Sequence, residues 1–205
     1  LIQAAFMRFW SPAVYRWHAS GIDLEKMIQT GKRFSALLAL VIGTLILFRG
    51  PIFWFIGPKY QAAYSVLPFM LLAPVAFMLS ETTGIGINLT RKTHWFLLTI
   101  IASLFLSFLL NYYLTPRYGA KGAALATGVS FTFFFFMRSF ISYFLLEKVS
   151  FGLHYFNILS LGLMAALATW GTHLLCYFIL FLLLLFINRR SFLELWREIF
   201  VAKTS

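Results

Sequence analysis

Two ionisable residues stand inside long apolar segments of the sequence, Glu81 in the segment 65–89 and Arg138 in the segment 119–146. Burying a charge in a membrane span costs about 3 kcal/mol on insertion scales, so such residues are candidates for function. Each lies nine residues before a polar boundary on the same predicted side, which places both about 13 Å below that surface. We expect them to face a shared aqueous cavity or to pair across helices. The alternative is that Arg138 snorkels to the headgroups while Glu81 is protonated or hydrogen-bonded locally.

A stripe of polar residues runs along the third predicted span. Its members recur every four residues, so they share one face of a helix. Such a stripe lines a water-filled path or mediates helix contact through hydrogen bonds, and the spacing leaves both open. An amide facing lipid would leave hydrogen-bonding groups unsatisfied, which favours the path. The candidate substrate-path residues are Glu81, Asn88, Thr99, Ser103, Ser107, Asn111 and Arg138.

The second predicted span is interrupted. Pro68 and Pro74 each lack a backbone hydrogen-bond donor and are expected to break its helix, and the glycine-containing stretch 82–88 loosens its end. Within this span Asn88 shares a helix face with Glu81. Discontinuous helices in transporters mark moving or substrate-lining elements, so we expect this span to have such a role.

Patterns typical of enzymes are absent from the sequence. The four histidines fall in predicted loops or near span ends without metal-ligand spacing, and there is no nucleophile elbow, P-loop or dinucleotide fingerprint. The single cysteine, Cys176, lies in an apolar run and provides neither a disulfide nor a redox motif. We therefore expect no enzymatic activity, no cofactor and no metal site.

The elements that carry these residues are membrane helices by composition. Of 205 residues, 61% are hydrophobic and only 11% are charged, which excludes an ordinary soluble domain. The net charge of +11 comes from cations at the ends of apolar runs, and this placement argues against a nucleic-acid partner. The sequence predicts an all-α polytopic membrane protein.

Six complete transmembrane helices are predicted, because each apolar run is long enough to cross about 30 Å of hydrocarbon. Residues 1–33 are expected to be the tail of an earlier span followed by a cytoplasmic loop, 34–187 a six-helix lobe, and 188–205 a cytoplasmic tail. The spans are Phe34 to Gly57, Ser65 to Leu89, His94 to Leu114, Gly119 to Leu146, Leu153 to Trp170 and His173 to Ile187.

Loop charges predict the orientation of these spans. One side collects 12 lysines and arginines, and the other collects four, namely Arg49, Lys59, Arg117 and Lys121. Since Lys and Arg are retained on the cytoplasmic side during insertion, both ends of the chain are expected to be cytoplasmic.

Three stretches resemble the polysaccharide-transport family of the MOP flippase superfamily. They are residues 57–67 (GPKYQAAYSVL), 86–93 (GINLTRKT) and, most specifically, 111–127 (NYYLTPRYGAKGAALAT). The likeness extends over residues 1 to about 147. It implies the C-terminal lobe of a MATE-like two-lobe transporter, which alternates between inward and outward openings around a central cavity. The N-terminal lobe would be a missing partner.

The resemblance implies a flippase that moves polyprenyl-diphosphate-linked oligosaccharide repeat units across the bacterial inner membrane for surface polysaccharide such as O-antigen. Its expected partners are this lipid-linked substrate and membrane lipids, with the polysaccharide polymerase machinery as a further candidate. Alternatives are an ion-coupled multidrug exporter or a lipid-linked peptidoglycan precursor flippase of the same superfamily. An intramembrane glycosyltransferase would need a large extramembrane loop, which the sequence lacks. A non-transporting C-terminal fragment or assembly subunit stays open.

Overall fold

The architecture comes from a computed structural model that describes residues 2–21, 23–146, 151–171 and 174–201. Throughout these ranges the regular structure is helical, without strands. The helices are α1 (Ile2–Ala19), α2 (Leu24–Leu47), α3 (Arg49–Ile56), a 3-10 helix (Pro58–Ser65), α4 (Leu67–Thr83), α5 (Ile85–Leu89), α6 (Thr93–Tyr118), α7 (Ala120–Leu145), α8 (Gly152–Thr169) and α9 (Leu174–Val201).

Five of the described helices are long and apolar enough to cross a membrane, namely α2, α6, α7, α8 and the Leu174–Glu194 part of α9. The 3-10 helix and α4 together also pass, although they are bent by 59° at their junction, and counting them as one span gives six. The chain therefore has the fold of an all-helical, multi-pass membrane protein. The count of six stays a prediction.

Helix α4 lies at the centre of the bundle and packs against α2, α7 and α8. Helix α6 packs mainly against α7, while α9 packs against α2 and α8. The main core is formed by buried side chains of α2, α4, α7, α8 and α9. A smaller cluster joins α1 to α2, α4 and α5. We call the end of the bundle with α1 and α5 the α1 end, and the opposite end, with α3 and the 3-10 helix, the α3 end.

Several helix boundaries differ from those predicted by hydropathy. Helix α2 begins at Leu24 within the predicted cytoplasmic loop, where the Asp23 carboxylate accepts a 3.4 Å hydrogen bond from the Glu25 N–H. Helix α9 continues past Ile187 to Val201, into the predicted tail. Hydropathy identifies only the part of a helix that crosses the hydrocarbon core. An amphipathic helix can continue beyond the core, and hydropathy then assigns its polar end to a loop or tail. The predicted start at His173 and the last four residues of the tail, 202–205, lie outside the described ranges.

The second predicted span, 65–89, is interrupted at two places, at the 59° bend just before Pro68 and at Gly84. Pro68 stands in the first turn of α4, where a missing N–H has no intrahelical partner to lose, and Pro74 is accommodated inside α4. The prediction that proline interrupts the helix is therefore confirmed at Pro68, where α4 begins directly after the 59° bend, and is wrong for Pro74. Helix α4 ends at Thr83, Gly84 forms the turn, and α5 follows, which confirms the predicted break in the stretch 82–88.

The run 111–127 forms the hairpin between α6 and α7. Gly119 alone separates the two helices and has a φ of 57°, a conformation that favours glycine. A Cβ on Gly122 would stand only 2.6 Å from the carbonyl carbon of Leu114. The glycines of this run are thus required by the close approach of two helix ends.

Candidate functional site

Two buried charges meet beside the break between α4 and α5, where α4 packs against α7. The Arg138 guanidinium on α7 donates from Nη2 to Glu81 Oε2 at 3.1 Å and from Nη1 to Glu81 Oε1. Only 1% of Arg138 and 3% of Glu81 is exposed. Of the two expected arrangements, pairing across helices is confirmed and exposure to an aqueous cavity is wrong in this conformation; the snorkelling alternative is wrong as well.

Aromatic rings enclose this ion pair. The Arg138 Cζ atom lies 4.8 Å from the centroid of the Phe96 ring and 5.9 Å from that of Phe134. Rings in place of water lower the local dielectric, which strengthens the attraction and raises the cost of leaving either charge alone. Burying either charge without the other would therefore be costly.

Glycine at the break lets the guanidinium lie against the backbone. A Cβ on Gly84 would clash with Arg138 Nε and would stand 2.9 Å from its Cζ and 2.7 Å from the Ser80 carbonyl oxygen. Arg138 Nη1 also lies 3.4 Å from the Ser80 hydroxyl. The ion pair and the break consequently depend on the same glycine.

Two serines of α7 extend this contact along the interrupted helix. The Ser139 hydroxyl lies 2.6 Å from that of Thr83, and the Ser142 hydroxyl accepts a 2.9 Å hydrogen bond from the backbone N–H of Gly86. Neither serine is among the residues predicted from the sequence. Their spacing after Arg138 on one helix face was the available signal.

Helix α1 closes the remaining side of the break. The Trp10 indole N–H donates to the backbone carbonyl of Glu81 at 3.1 Å, and Trp10 is almost fully buried. Because a broken helix leaves carbonyl groups without intrahelical partners, an indole donor here stabilises the break. We call Glu81, Arg138 and the residues that bridge α4–α5 to α7 the charged clasp.

The polar stripe lies apart from the charged clasp. Thr99 is buried and the other three residues are partly buried, and each forms a hydrogen bond within α6, such as Ser103 Oγ to the Thr99 carbonyl at 2.7 Å. Ser103 and Ser107 line a mostly apolar cavity of about 210 Å³ between α4, α6 and α7. Phe134 forms part of its wall and also lies beside Arg138, so it separates cavity and clasp. Asn88 lies partly exposed in α5.

A second buried polar cluster, which the sequence analysis missed, joins α2, α8 and α9. Asn157 and Asn188 exchange hydrogen bonds of 3.1 and 2.8 Å between their amides, and Asn157 Nδ2 also lies 2.9 Å from the Ser35 hydroxyl. All three residues are fully buried. Asn188 thus lies inside the bundle and not in a tail that begins there. We call these three residues the amide cluster.

Comparison with known proteins does not place this chain in a family. No family model, no curated protein and no solved structure matches it. Within the described ranges, His, Cys, Asp and Glu side chains do not gather in groups of three or more that would hold a metal ion.

Proposed function

We propose that this chain is the lobe of a flippase that translocates polyprenyl-diphosphate-linked oligosaccharide across the bacterial inner membrane. The observation that supports assigning the chain to a transporter is the buried ion pair at an interrupted helix. Intramembrane charges and discontinuous helices accompany transport paths. The substrate class is proposed from the resemblance of residues 57–67, 86–93 and 111–127 to the polysaccharide-transport family.

In this proposal the charged clasp positions a moving segment and does not hold the substrate. The Arg138 guanidinium is engaged by Glu81 through two nitrogens and is closed to solvent, so it is not free for a diphosphate in this conformation. Holding α5 against α7 fixes the direction of the α4–α5 segment. Rearrangement of this segment would accompany alternating access.

The polar stripe would border the substrate path. Ser103 and Ser107 face the cavity of about 210 Å³, which is smaller than the roughly 300–1,000 Å³ typical of sites for drug-sized ligands. An oligosaccharide would therefore need a further surface, which we assign to an N-terminal lobe. The side with fewer loop cations, which has Arg49, Lys59, Arg117 and Lys121, would face away from the cytoplasm. The α1 end would then face the cytoplasm.

Export of surface polysaccharide tests this proposal. The gene encoding this chain is expressed in a bacterial strain blocked in repeat-unit flipping, as wild type, Glu81→Arg, Arg138→Glu and the double exchange. We expect both single variants to lose export, since each leaves like charges buried together, and the exchange to restore part of it. Arg117→Gln, at an exposed arginine, is the control for charge loss.

Protein levels in the membrane are measured in parallel, so that loss of export is read only at normal abundance. Wild-type export by both single variants would contradict a role of the clasp in transport. Failure of the wild-type gene to restore export, with increased tolerance of cationic dyes, would favour the multidrug exporter instead.

A further inference from the structure

Arg49 is a second buried arginine, and within the described ranges it has no acidic partner. Only 3% of the residue is exposed, and the ion pairs of the described residues do not include it. Its Nε and Nη1 atoms are buried and find no hydrogen-bond partner among the residues that the structure describes. A buried cation with unpaired donors is costly, so a structure that retains one requires an interaction that compensates for it.

Two tyrosine rings occupy the surroundings of this guanidinium. The Arg49 Cζ atom lies 4.3 Å from the Tyr64 ring centroid and 5.7 Å from that of Tyr177. Phe53 fixes Tyr64 through an edge contact at 5.7 Å, and Tyr177 is part of the main core. The cation is thus held between α3, the 3-10 helix and α9 by packed aromatic side chains.

Rings and oxyanions use different parts of a guanidinium. Aromatic rings interact with its faces, whereas the in-plane N–H groups point outward and match the oxygens of a phosphate or carboxylate. At Arg49 the rings are supplied by the protein, and the in-plane donors Nε and Nη1 are the groups left without a partner. An oxyanion is one group that would accept from both donors at once.

The position of Arg49 selects phosphate among oxyanions. It begins α3, and Trp54 and Phe55 near the end of this helix are 84% and 87% exposed, as is typical of aromatic side chains at the headgroup level of a membrane. Lipid phosphates lie at this level. Thr169, the last residue of α8, also has a buried hydroxyl without a partner at the same end.

We propose that Arg49, between Tyr64 and Tyr177, binds a phosphate group at the α3 end of the bundle. Nε and Nη1 are closed to solvent in this conformation, so the phosphate enters when the partly buried Tyr64 ring moves aside. The phosphate belongs to a membrane lipid headgroup or to a diphosphate ligand. Such a site needs no transport activity to exist.

Native mass spectrometry of the purified chain tests the lipid source. Protein is released from nanodiscs of phosphatidylcholine with phosphatidylglycerol, and retained phosphatidylglycerol is counted for wild type, Arg49→Lys and Arg49→Met. Titration with inorganic diphosphate, followed by calorimetry in phosphatidylcholine nanodiscs, tests the second source. We expect retention or affinity to fall about tenfold in both variants, because lysine lacks the planar fork of donors.

Arg117→Lys and Arg117→Met are matched controls, since this arginine is exposed at the same end. Lipid retention that depends on Arg49 and not on Arg117 identifies a lipid phosphate, and saturable diphosphate binding with the same dependence identifies a diphosphate ligand. Equal retention and equal diphosphate binding in all Arg49 and Arg117 variants would overturn the proposal. If Arg49→Met does not fold, Arg49→Lys and Tyr64→Leu decide between these outcomes.

Discussion

The charged clasp and the amide cluster both join helices through fully buried polar side chains, but they use different chemistry. The clasp joins the interrupted α4–α5 segment to α7 through Glu81 and Arg138. The amide cluster joins three continuous helices through Asn157, Asn188 and Ser35. A charged pair is present where a helix is broken, and a neutral pair where helices are regular.

This difference has an energetic consequence. Each charge of the clasp depends on the other, because removing one leaves the other buried without its counter-charge. Each amide of the cluster retains some hydrogen bonds when its partner is removed; Asn188 Nδ2, for example, also donates to the Leu184 carbonyl at 2.9 Å. The clasp should therefore tolerate substitution far less than the cluster.

Removing one charge of the clasp should have the largest effect. Arg138→Met leaves the Glu81 carboxylate buried without its partner, and we expect the free energy of unfolding to fall by about 3–5 kcal/mol. Unfolding is followed by circular dichroism in mixed micelles titrated with SDS. Arg117→Met, at an exposed position, should change it by less than about 0.5 kcal/mol.

Filling the space at the break should have the next largest effect. The added methyl group of Gly84→Ala meets Arg138, which Glu81 holds in place, so a loss of about 2 kcal/mol is expected in the same titration. Gly162→Ala in α8 is the control, because a Cβ there meets no atom within 4 Å. Equal stability of the two alanine variants would show that the break has room to adjust.

Disrupting the amide cluster should have the smallest effect of the three. Asn188→Leu removes the two reciprocal amide bonds, and because hydrogen bonds between membrane helices average about 0.6 kcal/mol each, a loss of about 1 kcal/mol is expected. Asn111→Leu, whose amide bonds only within α6, is the control and should be close to neutral. A loss from Asn188→Leu as large as that from Arg138→Met would remove the distinction between cluster and clasp.

The sequence predicts the clasp but not the cluster, for a physical reason. A charge inside an apolar run is conspicuous, and helical rise alone sets Glu81 and Arg138 at equal depth. Asn157 is a single neutral amide in its run, and Asn188 stands beside Arg189 and Arg190, where hydropathy indicates the end of a span. Their pairing depends on the packing of α8 against α9, and hydropathy does not predict which helices pack against each other.

Arg49 shows that the burial of a charged residue can also be missed from the sequence. The charge count places it with the four loop cations of one side, and the structure buries it between rings from other segments. Helix ends are missed for a related reason. Residues 24–33 have the polarity of a loop, but Met27 and Ile28 pack into the bundle and extend α2 below the apolar run.

A double-mutant cycle at Glu81 and Arg138 tests most directly that the two charges act as one unit at the helix break. The free energy of unfolding is measured in the SDS titration for Glu81→Met, Arg138→Met and the double variant. We predict that the double variant is more stable than either single variant, with a coupling energy above about 2 kcal/mol, because methionines leave no charge unpaired. Additive losses, with a coupling energy near zero, would contradict this account.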